Sequence, residues 1–221
     1  AFVIMEPIQG ESGINVAPPG FLQDVRKLCD ERGILLIFDE IQAGLGRTGK
    51  MWACDHWNTT PDIICLAKGI AGGVPMSATL TRPDILAAMS KGEHSSTFGG
   101  NPLSCAAGIA TIQALTQDGL IENAARVGKF FMDGLEKLKE KHSIVRDVRG
   151  KGMMIGVEMK FEVKDILLDG IQEGVLLLYS GRNILRFLPP LVMSESEVTK
   201  VLEVLDRLFT KESERRKNVQ G

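Results

Sequence analysis

The sequence predicts an α/β fold over its first half and a smaller α+β domain over its second. Short aliphatic runs without polar alternation, ILLIF at 34–38 and IICL at 63–66, read as strands covered on both faces, as in a parallel, helix-covered sheet. A helical pattern stands between such runs in the first half. Beyond about residue 140, short strand-like runs follow one another with a single short helix among them.

In chain order, Phe2–Met5 is the first strand. Pro18–Arg32 is a helix, with apolar residues at Phe21, Leu22, Val25 and Leu28 and Gly33 as its stop. Strands follow at Ile34–Phe38, Ile63–Leu66 and Met76–Leu80. Leu103–Gln117 and Leu120–Lys141 are long helices, and the charged end of the second, EKLKEKH, is a solvated face. Ile144–Val148 and Met153–Met159 are strands, Val163–Glu173 is a short helix, and Val175–Tyr179 and Asn183–Leu188 are two more strands. Ser194 with Glu197 has the spacing of a capping box, opening a helix to about Phe209. The polar tail TKESERRKNVQG is expected to fray. The domains are therefore drawn at 1–120 and 142–209, with a bridging helix at 121–141 and a tail at 210–221.

Composition narrows the function. The 221 residues, 44% apolar and 24% charged, are ordinary for a globular protein and enough to bury a core. A net charge of −2, from 26 basic and 28 acidic residues, gives no footprint for nucleic acid or an anionic membrane. No apolar run approaches the length of a membrane span, and AFVIMEPI lacks the basic flank of a signal peptide. Cys29, Cys54, Cys65 and Cys105 form no C-x-x-C pair, and His56, His94 and His142 complete no zinc pattern. The expectation is four reduced thiols in a cytoplasmic protein without a metal.

GLGRTGKM at 44–51 matches G-x-x-x-x-G-K after an apolar strand. A phosphate loop, however, needs Ser or Thr after its Lys, where Met51 stands, and must open a helix, which MWACDHWNTTPD does not resemble. The stretch is read as a structural loop. Asp39 and Lys68 are more informative. Each closes an apolar strand run, and ligands of open α/β sheets sit at the carboxyl ends of strands. Alone, Asp39 reads as a turn cap and Lys68 as a solvated cation. Together, on adjacent parallel strands about 5 Å apart, a carboxylate and an amine suit pyridoxal phosphate (PLP). The lysine amine takes the cofactor aldehyde, and the carboxylate keeps the pyridine nitrogen protonated.

Four ordered motifs, EPIQGESG at 6–13, DEIQAGLGRTG at 39–49, PDIICLAKGIAGGVP at 61–75 and STFGGNPLSCAA at 96–107, resemble class III aminotransferases of the acetylornithine/ornithine group. VRGKGMMIGVE at 148–158 and NILRFLPPL at 183–191 continue the resemblance, so that it covers nearly the whole chain. It implies a PLP-dependent transferase of fold type I, with an incomplete, mostly parallel large-domain sheet and a small C-terminal α+β domain. It implies that Lys68 is the Schiff-base lysine, that Asp39 pairs with the pyridine nitrogen and that Gln42 bonds on the phenolic-oxygen side. Thr97 would bind the cofactor phosphate of the neighbouring subunit, making a homodimer with shared active sites. Arg186 would take the α-carboxylate of glutamate or 2-oxoglutarate, and Glu11 would neutralise it when the amine substrate is present. His94 and the cysteines stay structural.

The implied reaction moves the distal amino group of acetylornithine, ornithine or a lysine-pathway amine to 2-oxoglutarate, giving a semialdehyde and glutamate. Other class III PLP enzymes, such as 4-aminobutyrate aminotransferases and aminomutases, are the alternatives, and the Glu11–Arg186 pair argues against those without two alternating substrates. The glycine-rich phosphate anchor and ring-stacking aromatic of the family have no counterpart in 1–221, and Ala1 opens straight into a strand. The expectation is a C-terminal fragment with weak PLP binding, little or no turnover and an exposed sheet edge.

Overall fold

The structure, a computed structural model, describes residues 1–219, with side chains to Lys217. The chain forms two compact units: residues 1–8 with 17–121, and residues 9–16 with the chain from Glu122 onward. Strands β1 (Phe2–Met5), β2 (Ile8–Gln9) and β3 (Asn15–Val16) precede helix α1 (Phe21–Arg32).

In the first unit, β1, β4 (Leu35–Asp39), β5 (Ile63–Leu66) and β6 (Ala78–Thr81) form one sheet in the order β1-β4-β5-β6. α1 is the crossover between the parallel pair β1 and β4. Its spacing puts Leu22 and Cys29 on one buried face, and Gly33, at φ 61°, ends it in the left-handed conformation that glycine adopts without penalty. β4 buries Leu36 and Phe38 completely. β5 lies parallel to β4, with Asp39 opposite Cys65. The mostly parallel sheet is observed, but β6 runs antiparallel to β5 and starts two residues later than the pattern suggested. The cause is the connection: residues 67–77 hold only a short 3-10 turn, and a parallel return needs a crossover of about a dozen or more residues. β1 is an edge strand, with Phe2 and Ile4 facing outward.

The short helix α2 (Pro83–Leu86) was not anticipated. Helix α3 (Pro102–Gln117) starts one residue before the expected Leu103. Pro102 takes the first turn, and Asn101 Oδ1 accepts the Ser104 N–H at 3.0 Å. α3 packs on the 68–71 turn through small residues: a Cβ on Gly108 would lie 3.1 Å from the Met76 sulfur.

The second unit is built on a four-stranded sheet, β7 (Val145–Lys151), β8 (Met154–Met159), β9 (Leu178–Ser180) and β10 (Ile184–Phe187), in the order β7-β8-β10-β9 and antiparallel throughout. Helices α4 (Leu120–Lys141), α5 (Lys164–Gln172) and α6 (Glu195–Val219) cover it. Phe131 of α4 meets Phe187 of β10 edge-on at 5.2 Å between ring centres, inside a core that includes Val127, Leu135, Leu185, Leu205 and Phe209. Gly128 lies so close to the Gly152 backbone that any side chain there would clash. The capping box forms: Ser194 N donates to Glu197 Oε2 at 2.8 Å and Glu197 N to Ser194 Oγ at 3.3 Å.

The described part of the tail differs from expectation, and residues 220–221 lie outside the described residues. α6 continues past Phe209 to Val219 because its charges have partners. Lys211 and Arg215 both reach Asp169 of α5 at 2.8 Å, and Arg216 lies over the Phe161 ring at 3.3 Å. The strand expected at Val175–Tyr179 is shorter, because Gly174 (φ 78°) still belongs to the turn that leaves α5.

Candidate active site

In the first unit the site grows from two strand ends. β4 and β5 are clamped at their other end by Asp62, which is buried. Its amide donates to Leu36 O at 2.8 Å, and its carboxylate accepts the Leu36 N–H at 2.8 Å, Arg26 at 2.8 Å and Arg82. Burial alone would raise the Asp62 pKa. The Leu36 N–H and the two guanidiniums outweigh it and hold the carboxyl below its ordinary value. This clamp sets the register that brings the carboxyl ends of β4 and β5 side by side.

At that end Asp39 is half-buried and its Oδ1 accepts the Ile41 N–H at 3.0 Å. The next amide, Glu40 N, donates to Cys65 O at 3.0 Å, tying the strand ends together. Lys68 follows three residues after Cys65 as the first residue of the 3-10 turn Lys68–Ala71, exposed and at φ 47°. A side chain in that left-handed region costs roughly 1–2 kcal/mol, and such outliers gather at functional sites. Gln42 stands half-buried in the turns that follow β4. Thr97 is exposed, and no hydrogen bond joins it to Asp39, Gln42 or Lys68 among the described residues.

The 44–52 loop shows why it is not a phosphate loop. Its amides bond inward: Gly46 N to Met51 O at 3.2 Å and Gly49 N to Gly46 O at 2.9 Å. Only a 3-10 helix, Ala53–Trp57, follows. The amides at its start are taken by Glu40, a fully buried carboxylate that accepts Ala53 N–H at 2.6 Å and Cys54 N–H at 2.7 Å. Burial raises the Glu40 pKa although both amides favour its ionised form. Burial, with Glu40 beside it, also pushes the Cys54 thiol well above its ordinary value.

In the second unit Glu11 and Arg186 meet, Nη1 to Oε1 at 2.6 Å. The Arg186 side chain is 11% exposed and that of Glu11 73%. Arg186 Nε is buried and hydrogen-bonds nothing among the described residues. The guanidinium thus has a donor to spare, and an unmatched buried donor is costly.

The model of the family described as aminotransferase class-III matches residues 1–209. The chain belongs to the class III aminotransferase family. It is 45% identical over 209 residues to the acetylornithine aminotransferase of Caldanaerobacter subterraneus subsp. tengcongensis, covering 94% of this chain and 53% of that protein. It is 42% identical over 210 residues to that of Methanocaldococcus jannaschii, covering 95% and 53%. Among solved structures it superposes on the acetylornithine aminotransferase of Elizabethkingia anophelis with a TM-score of 0.90 at 36% identity, over 94% of this chain and 53% of that one. The ornithine aminotransferase of Toxoplasma gondii gives 0.92 at 36%, over 96% and 52%. The chain spans about half the length of the curated relatives it matches. Its α/β fold is that of the class III aminotransferases.

Within this family chain, three groups escaped the sequence. Glu40 sits in the DE pair, but nothing local marked its carboxylate as the anchor of a loop thirteen residues on. Asp62 stands just before β5, and nothing local marked its carboxylate as a clamp on β4. Ser180 and Arg149, which hold the Glu11 segment, are linked to it only through the fold. The described helices include none long and apolar enough to cross a membrane.

Proposed function

We propose that this chain carries PLP-binding and substrate-binding residues of an aminotransferase that moves the distal amino group of acetylornithine, ornithine or a lysine-pathway amine to 2-oxoglutarate. The observation that carries the reading is the placement of Asp39 at the carboxyl end of β4, opposite Cys65 of the parallel β5, with Lys68 three residues beyond Cys65 and held in a left-handed backbone conformation. An amine and a carboxylate so placed fit the aldehyde and the pyridine nitrogen of PLP. When bound, the cofactor supplies an electron sink for the carbon that bears the amine. Lys68 would hold the cofactor aldehyde through its Nζ and, once that amine is free, would move the proton at the substrate carbon. Asp39 would keep the proton on the ring nitrogen, and Gln42 would bond on the phenolic-oxygen side. Arg186 takes a substrate carboxylate, for which its spare Nε–H is suited, and Glu11 neutralises it otherwise. This alternation favours a two-substrate aminotransferase over an aminomutase. Thr97 serves the phosphate in a second copy of the chain; the exposed Phe98, Leu103 and Ile109 nearby fit burial there.

The test is reductive trapping. The chain is mixed with PLP, treated with borohydride, digested and mapped. The expected result is cofactor on Lys68 and no site-specific trapped cofactor in Lys68→Ala. Label spread over surface lysines, with Lys68 unlabelled, overturns the reading.

A further inference from the structure

The segment that carries Glu11 has a fixed backbone and an exposed carboxylate. Ser180, at the end of β9 and 3% exposed, donates its hydroxyl to the Glu11 carbonyl. Two residues on, Arg149 Nε donates to the Gly13 carbonyl at 2.9 Å, while its Nη1 is held by Glu158 at 2.9 Å and Asp147 at 3.1 Å. Gly13, at φ 111°, lies where a Cβ would overlap the Ile184 side chain. Ile14 is fully buried at φ 56°. The main chain is therefore pinned on both sides of Gly13, and the Glu11 carboxylate reaches Arg186 from that fixed backbone.

We propose that Ser180 is a positioning residue for substrate choice: by pinning the Glu11 carbonyl it keeps the Glu11 carboxylate concentrated at Arg186, against which an incoming substrate carboxylate must compete. The inference rests on Arg186 as the carboxylate site. A pinned backbone raises the effective concentration of Glu11 at the guanidinium, and a loosened one lowers it. Glu11 engages Nη1 and leaves the buried Nε–H without a partner, so it is an incomplete ligand that a better-placed carboxylate displaces. Ser180 and Arg149 touch no reacting atom in this scheme; they set how hard that displacement is.

The test needs no cofactor. Glutarate, a dicarboxylate with no amine or keto group, is titrated into the chain, and binding is read by calorimetry and by the ¹⁵Nε–H signal of Arg186, assigned by its loss in Arg186→Lys. Glu11→Gln is expected to bind glutarate at least about tenfold more tightly than the parent, and Ser180→Ala about three- to tenfold more tightly. Ser180→Thr, which keeps the hydroxyl, should return toward the parent value. Arg149→Lys keeps the charge facing Glu158 but loses the bond to Gly13. It should shift affinity in the same direction as Ser180→Ala, and it carries the test if Ser180→Ala does not fold. Tightening in Glu11→Gln with parental affinity in both pinning variants overturns the inference and leaves the Arg186 reading standing. No glutarate binding by either the parent or Glu11→Gln overturns both.

Discussion

Lys68 is the residue where stability and proposed chemistry are opposed. Its left-handed backbone costs a side chain energy that glycine does not incur. Lys68→Gly should therefore be about 1 kcal/mol more stable than Lys68→Ala by chemical denaturation, since only glycine relieves the φ of 47°. Equal stability would mean that the turn relaxes without help and that the position is not strained. Arg186 is the counterpart in the second unit. Its side chain is mostly buried, its charge is matched by an exposed carboxylate, and its Nε–H has no partner among the described residues. Both positions were legible in the sequence as motif residues. The backbone of Lys68 and the spare donor of Arg186 were not, because each depends on atoms far along the chain.

At the scale of elements, the loop after β4 depends on one carboxylate. Glu40→Ala removes the acceptor of two buried amides, and one such loss costs about 1–3 kcal/mol. The loop should loosen around Cys54, whose buried thiol is kept protonated. The expected outcome is faster labelling of Cys54 by a thiol reagent than in the parent. Labelling at the parental rate would show that the 3-10 helix holds without Glu40. α6 teaches the reverse lesson about reading polar tails. TKESERRK carries no apolar stripe of its own, so composition favours fraying. In the fold, Asp169 and Phe161 give Lys211, Arg215 and Arg216 somewhere to go, and the helix persists. The Ser194–Glu197 box, by contrast, was legible because a capping box is local in sequence.

For the whole molecule, acid should be the weak side. The Leu36 N–H, Arg26 and Arg82 outweigh burial at Asp62. Lys211 and Arg215 depress Asp169, and Lys141 and His142 depress Asp206. Their folded pKa values lie below their unfolded ones. The stability they add is present above about pH 4 and is lost as pH falls through the depressed values. Glu40 works in the opposite sense. Its folded pKa is raised, so its contribution is present at low pH and lost as pH rises through that raised value. With Asp84, Glu158 and Glu197 also held below their ordinary values by their partners, six depressed carboxylates stand against one raised one among the described residues, and a melting temperature that falls steeply below about pH 4 is expected. Asp62→Asn should be less stable than the parent at pH 7 and approach it as the pH drops. A stability difference that stays constant with pH would show that the Asp62 charge is not what clamps β4 to β5.

The sequence by itself determined the α/β class, the order of the main elements and the family motifs, and through those motifs it proposed Asp39, Gln42, Lys68, Thr97, Glu11 and Arg186 as site residues. Those are local properties: runs of aliphatic residues, caps and short motifs. Only the tertiary structure decided that β6 returns antiparallel, that α6 runs to Val219, that Glu40 anchors the loop after β4 and that Ser180 and Arg149 hold the Glu11 segment. The last of these rests on partners far apart in sequence, the hydroxyl of Ser180 and the carbonyl of Glu11 being 169 residues apart. No local pattern encodes a hydrogen bond whose two ends meet only after the chain has folded.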